Sequence, residues 1–278
     1  MIPAAFDYVR ATSLDEAIAL LGKHGEDGKL LAGGHSLIPA MKLRLATPGT
    51  LIDISGIPQL DAVRVEGDRV RIGALTKHAA LAASDALEKS APALWDAANE
   101  LGDPQVRNRG TIGGSSAHND PAADYPAVLL ALEATFTAVG KGGTRTIAAS
   151  DFFRGLFETA LAPDEVLTEI AFDVAPKSAY LKYHHPASHY AVVGVAAVLS
   201  SGGARIGITG VGDRAFRAGG VERALAGVSP TDAKAVQAAT VGAATGVAAR
   251  GDVFASPAYR TAMADVYAAR AVSKAASR

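Results

Sequence analysis

The chain has 278 residues, 49 % of them hydrophobic, a formal net charge of −1 and no cysteine. That length buries a substantial core and can hold two or three small domains. A near-neutral balance with no extended Lys/Arg run leaves no electrostatic footprint for nucleic acid or an anionic membrane. Zero cysteines exclude disulfides, thiol catalysis and any protein-ligated iron–sulfur cluster within this chain.

The N-terminal stretch Met1 to Tyr8 carries no basic n-region, and Asp7, Asp15 and Glu16 interrupt any apolar run. No signal peptide and a cytoplasmic location are therefore expected. Ser13 and Glu16 form a capping-box pattern, and Leu14, Ala17, Ile18 and Leu21 repeat at helical spacing until Gly25. A strand through Leu30 and Leu31, a glycine-rich turn, a short helical stretch from Ile38 to Leu43 and a strand over Leu51 to Ile54 complete a small α/β unit, residues 1–56.

From Val63 the pattern becomes a hairpin, Val63 to Val65 and Val70 to Ile72 around Gly67 and Asp68. Helices are predicted at Thr76 to Ala83, Ala91 to Leu101 and Ala122 to Leu132, with a second glycine-rich loop between the last two. The most apolar segment, Pro126 to Leu132, stops at Glu133, well short of the roughly 20 residues needed to span a bilayer. Strands at Ala134 to Val139, Arg145 to Ile147 and Glu165 to Phe172 complete a second α+β unit, residues 57–176. In residues 177–278, Ala179 to His184, Val192 to Ser200 and Ala204 to Val211 read as a three-stranded antiparallel set followed only by helical sequence. Ser256 and Pro257 start the last helix, on which Tyr259, Ala262, Met263, Val266 and Tyr267 define an apolar face.

Two glycine-rich segments stand out: Ala32, Gly33, Gly34, His35 and Ser36, and Thr111, Ile112, Gly113, Gly114 and Ser115. Each joins two residues lacking a Cβ to a short hydroxyl side chain, and each can bring bare backbone N–H groups to an anion. A dinucleotide diphosphate suits such a pair, whereas a single Gly-Gly pair is more often a plain turn.

The surroundings of these segments resemble the medium, FAD-binding subunits of the molybdenum hydroxylases, the family of aerobic carbon monoxide dehydrogenase and the xanthine dehydrogenases. The most specific stretch is Gln105 to Ser115; Asn119 to Ala127 and His185 to Ala196 follow in order, and the resemblance covers nearly the whole chain. It implies an α+β chain: a two-part FAD-binding fold of the PCMH/vanillyl-alcohol-oxidase type, then a C-terminal domain of a three-stranded antiparallel sheet with a helical bundle. Both glycine segments would hold the FAD diphosphate. Asp124 would hydrogen-bond the adenosine end, although a carboxylate heading a helix is also favoured by the helix dipole. Leu167 would pack on the dinucleotide, against a plain core role; Lys182 and Tyr190 would lie near the isoalloxazine ring. His35 stands where the family usually has another polar residue, and serves equally as a contact or a solvated loop histidine. His184, His185 and His189 replace the arginine or acid of many relatives.

The implied function is passage of electrons from [2Fe–2S] clusters of a small subunit through FAD to a quinone, oxygen or NAD, with molybdopterin in a large subunit and a dimer of heterotrimers as the assembly. No catalytic acid–base pair and no metal site are expected in this chain. Two other classes compete: a self-sufficient FAD oxidoreductase acting on its own organic substrate, and a cofactor-free assembly protein. One decoy, Gly210-Val211-Gly212-Asp213-Arg214-Ala215, matches G-x-G-x-x-A after a strand but lacks a following βαβ unit.

Overall fold

The computed structural model describes residues 1–278. The N-terminal unit is a parallel sheet of β1 (Asp7–Arg10), β2 (Gly28–Leu31) and β3 (Thr50–Asp53), with the fully buried β3 in the centre. Helix α1 (Leu14–His24) covers it through Ala17 and Leu21, and Ser13 Oγ accepts from the Glu16 N–H at 3.1 Å. The Glu16 carboxylate reaches back to the Thr12 N–H and hydroxyl, both at 2.7 Å. Strand β1 lies outside the predicted elements because only Val9 of its four residues turns inward. Between β2 and the short helix α2 (Leu37–Lys42), the chain turns through Ala32 to Ser36. The first glycine segment thus sits at the carboxyl end of a parallel strand, where open α/β sheets bind ligands.

The second unit is built on an antiparallel sheet. Its hairpin, β4 (Val63–Glu66) and β5 (Arg69–Gly73), leads into α3 (His78–Ala82), α4 (Asp85–Ser90), α5 (Pro92–Glu100) and α6 (Pro104–Arg107). Next comes α7 (Ile112–His118), which corrects the reading of the second glycine segment as a loop. Thr111 is its N-cap, with Oγ1 accepting from the Gly114 N–H at 3.0 Å, and β-type pairing there is limited to a bridge between Thr111 and Lys77. Two glycines lower helix propensity by about 1 kcal/mol each relative to alanine, which hides a helix that capping and packing sustain. The unit continues with α8 (Tyr125–Ala131), β6 (Thr135–Gly140), β7 (Gly143–Ala148), α9 (Ala149–Phe152), the small hairpin β8 (Phe153–Gly155) and β9 (Glu158–Thr159), and β10 (Val166–Asp173). The strand order is β4-β5-β10-β6-β7.

The third unit has four antiparallel strands, not three: β11 (Ser178–His184), β12 (Ala191–Ser200), β13 (Gly203–Thr209) and β14 (Phe216–Arg217). Strand β14 returns against Gly207 and Ile208, so the glycine pattern at Gly210 is the turn of a hairpin. At two residues it is too short to show alternation. Strand β12 is buried from Ala191 to Val198 because α8 packs on one side and the terminal helix on the other. Helices α10 (Gly219–Ala224) and α11 (Ala233–Ala239) precede that helix, α12 (Pro257–Ala276), which Ser256 caps as predicted. Its buried face is corrected to Arg260, Ala264, Ala268, Ala271, Val272 and Ala275; Tyr259, Ala262 and Val266 are exposed, and Met263 and Tyr267 half-buried. Alanines let α12 approach the sheet closely, and the larger side chains are left at the rim.

Candidate functional site

The fold brings the first glycine segment onto the backbone that leads into the second. A Cβ on Gly33 would overlap the Arg109 carbonyl oxygen and lie 2.8 Å from Gly110 Cα, and one on Gly114 would lie 4.0 Å from Ala32 Cβ. Glycine at 33 is therefore required by the close approach itself. In the first segment the backbone N–H groups of Ala32, Gly33, Gly34, His35 and Ser36 donate to no protein acceptor. Gly34 has φ +77°, a left-handed conformation that turns the local peptides. Consecutive open N–H groups around such a residue form a concave donor array suited to phosphate oxygens. His35 is exposed at its edge.

The second segment contributes differently from expectation. The Ile112 N–H donates to Thr76 O at 3.0 Å, Gly113 N–H to Ala74 O at 2.8 Å and Ser115 N–H to Thr111 O at 2.9 Å. A Cβ on Gly113 would lie 2.5 Å from Ala74 O, so that glycine serves packing against the start of the second unit. Thr111, Ile112 and Gly113 are buried, while Gly114 is exposed and Ser115 half-buried. Gly114 and the Ser115 hydroxyl are what this segment presents outward.

Asp124 and Lys182 form a buried ion pair, Nζ to Oδ1 at 3.1 Å, with side chains 3 % and 1 % exposed. The Tyr180 hydroxyl donates to Asp124 Oδ1 at 2.5 Å, and Lys182 also donates to Glu100 O at 2.7 Å. Burial pushes the Asp124 carboxyl up, and Lys182 and Tyr180 oppose that shift. Asp124 and Lys182 thus have each other, the Tyr180 hydroxyl and the Glu100 carbonyl as partners, and the pair ties the head of α8 to β11. Leu167 lies 6 % exposed in the core of the second unit, beside Ala138 across the β10–β6 ladder.

Tyr190 is 48 % exposed. It borders a cleft of about 320 Å³ shared with Asp120, Phe157, His185, Arg250 and Arg260, where the second and third units meet. Burial of its ring raises the phenol above its ordinary value. His185 packs on Phe254 with centroids 4.8 Å apart, and His184 Nε2 lies 2.8 Å from Glu100 Oε2. His189 is exposed.

One residue near the site carried no local signal in the sequence. His78 is 5 % exposed and its Nδ1 lies 3.1 Å from the Tyr125 hydroxyl. Burial, with the positive neighbours His35 and Arg107, lowers its pKa from 6.5 to about 4. Between those values the unfolded chain takes up a proton that the folded chain refuses, so stability falls as pH drops through this window. Lowering the pH from 7.5 to 5 should remove about 2 kcal/mol through this residue. Urea unfolding of the wild type against His78→Gln checks it: the variant should show the shallower pH slope, and equal slopes would refute the assignment.

This chain belongs to the FAD-binding family of the molybdopterin dehydrogenases. The family described as "FAD binding domain in molybdopterin dehydrogenase" matches residues 4–173, and "CO dehydrogenase flavoprotein C-terminal domain" matches 178–275. The chain is 43 % identical over 286 aligned positions to the carbon monoxide dehydrogenase medium chain of Hydrogenophaga pseudoflava, covering 100 % of this chain and 99 % of that one. The medium chain of the Afipia carboxidovorans enzyme is 42 % identical over the same coverage. Among solved structures, the Hydrogenophaga pseudoflava carbon monoxide dehydrogenase lacking the Mo-pyranopterin moiety superposes with TM-score 0.93 at 45 % identity, over 99 % of this chain and 98 % of that one. The protein is thus an FAD-binding oxidoreductase subunit of the molybdenum hydroxylase family, and no helix in it is long and apolar enough to cross a membrane.

Proposed function

We propose that this chain is the electron-exit subunit of a carbon monoxide dehydrogenase-type molybdenum hydroxylase. In that assembly a large molybdopterin subunit oxidises the substrate, a small subunit carries two [2Fe–2S] clusters, and this chain delivers electrons to a quinone, oxygen or NAD. Bound FAD supplies the ability to take up electrons singly and release them singly or in pairs. The supporting observation is the run of unpartnered N–H groups from Ala32 to Ser36 at the end of a parallel strand, in a chain with no cysteine to ligate a cluster of its own.

The residues divide the work. Ala32 to Ser36 hold the diphosphate through backbone N–H groups and the Ser36 hydroxyl, with Gly114 and Ser115 facing them. Thr111, Ile112 and Gly113 shape that second wall. Tyr190 covers the flavin ring from the cleft, while Asp124, Lys182 and Leu167 support the site from within the core. Residues 1–56 and 57–176 form the two parts of a PCMH/vanillyl-alcohol-oxidase-type fold, and 177–278 add the sheet with its helices. The assembly is a cytoplasmic dimer of heterotrimers.

Acid precipitation of the purified complex should release the flavin to the supernatant, since no cysteine can form a thioether link. Native mass measurement should show two further subunits. Flavin retained in the pellet would overturn noncovalent binding. A monomer that carries FAD and turns over an organic substrate alone would overturn the relay role.

A further inference from the structure

His78 lies outside both glycine segments, yet it packs where they meet. Its backbone N–H donates to the Gly110 carbonyl at 3.0 Å, and a Cβ on Gly110 would lie 2.5 Å from its Nε2. Gly110 is also the residue whose Cα a Cβ on Gly33 would meet at 2.8 Å. The first loop, Gly110 and the imidazole are therefore successive neighbours.

The tautomer of His78 follows from Tyr125. That phenol is fully buried, and its oxygen has Nδ1 as its single partner. A phenolic proton with nowhere else to go is donated to Nδ1; the reverse assignment would leave it orphaned in the core. Nε2 therefore carries the ring's N–H. It has no acceptor in the protein, and although the residue is 5 % exposed, Nε2 is not sealed from solvent. A buried ring, oriented by a buried phenol, holds an idle donor beside a loop of idle donors. That donor can be offered to a ligand without breaking any hydrogen bond of the protein.

We infer that His78 is a cofactor-binding residue whose Nε2–H donates a hydrogen bond to the FAD diphosphate alongside the open N–H groups of Ala32 to Ser36. The inference rests on the assignment of that loop to FAD. The low pKa set by burial keeps the ring neutral and its tautomer single across the working range of pH, so Tyr125 and His78 act as one preorganised donor.

The test is titration of the full-length chain, stripped of flavin, with FAD and with ADP. Replacing His78 by phenylalanine should weaken both about tenfold or more, as expected for losing a hydrogen bond to a charged group. Glutamine, whose amide N–H reaches the Nε2 position, should recover most of that loss. Asparagine, whose amide reaches only the Nδ1 position, should not, and it substitutes for phenylalanine if that variant fails to fold. Wild-type affinity in the phenylalanine or asparagine variant, or equal weakening by glutamine and asparagine, would overturn the inference. A wild-type chain that binds neither FAD nor ADP would instead overturn the assignment of the loop, and this inference with it.

Discussion

Replacing Lys182 by methionine should destabilise the protein by about 3–5 kcal/mol, the range for removing one partner of a buried ion pair. The Asp124 carboxylate would keep the Tyr180 hydroxyl but lose its counter-charge in a site 3 % exposed. Burial already pushes this carboxyl up, and without Lys182 it would have to take up a proton on folding. The variant should therefore be most destabilised at high pH and partly recover as the pH falls. A double variant, Asp124→Leu with Lys182→Met, should regain much of the loss because no unpaired charge remains. Equilibrium urea unfolding reads both. If the double variant is as unstable as the single one, the pair is not the source of the effect. If it is stable but has lost FAD tenfold or more, the two residues belong to the cofactor site directly.

What could be read from sequence depended on how local its cause is. Helix α1 was legible because its cap, its apolar stripe and its terminating glycine all lie within residues 13–25. Strand β12 was legible as an unbroken apolar run, the signature of burial on both faces. Strands β1 and β14 were not, since one is an edge strand with a single inward residue and the other has only two residues. The start of α12 was written in Ser256 and Pro257, but its face was not. Tyrosine, methionine and valine dominate any apolar score, whereas close helix–sheet approach selects alanine.

The site divides along the same line. Ala32 to Ser36 reads in sequence as a candidate anion cradle because a glycine pair after a buried strand is a local pattern, and in the fold its N–H groups stay without protein acceptors. Gly113 looked the same, yet its missing side chain makes room for Ala74, which the chain reaches only through folding. The contact of Lys182 with Asp124 spans 58 residues and that of Tyr125 with His78 spans 47, so no window of sequence contains either pair. Each residue alone is a charge, a phenol or a histidine with many possible partners. Its role depends on which element packs against it.

The glycines themselves supply the sharpest separation of packing from binding. Gly33→Ala should weaken FAD binding by about ten- to a hundredfold, because the new methyl group would overlap the Arg109 carbonyl oxygen, a backbone atom with no rotamer to yield. Relief requires the two segments to part, and overpacking of this kind costs about 1–3 kcal/mol. That displacement falls on the Ala32 to Ser36 N–H groups proposed to hold the diphosphate. Gly113→Ala should behave differently. Its methyl group would press on Ala74, whose carbonyl accepts the Gly113 N–H, so the main loss should appear in thermal stability. Gly114→Ala meets only Thr111 Oγ1 at 2.8 Å, with Ala32 Cβ at 4.0 Å, and should be the mildest of the three in stability. FAD titration and thermal unfolding of the same three variants give two independent orderings. If Gly33→Ala binds FAD as the wild type does, the first segment does not hold the cofactor. If affinity merely follows stability across all three, the proposed division between an open cradle and a packed wall is wrong.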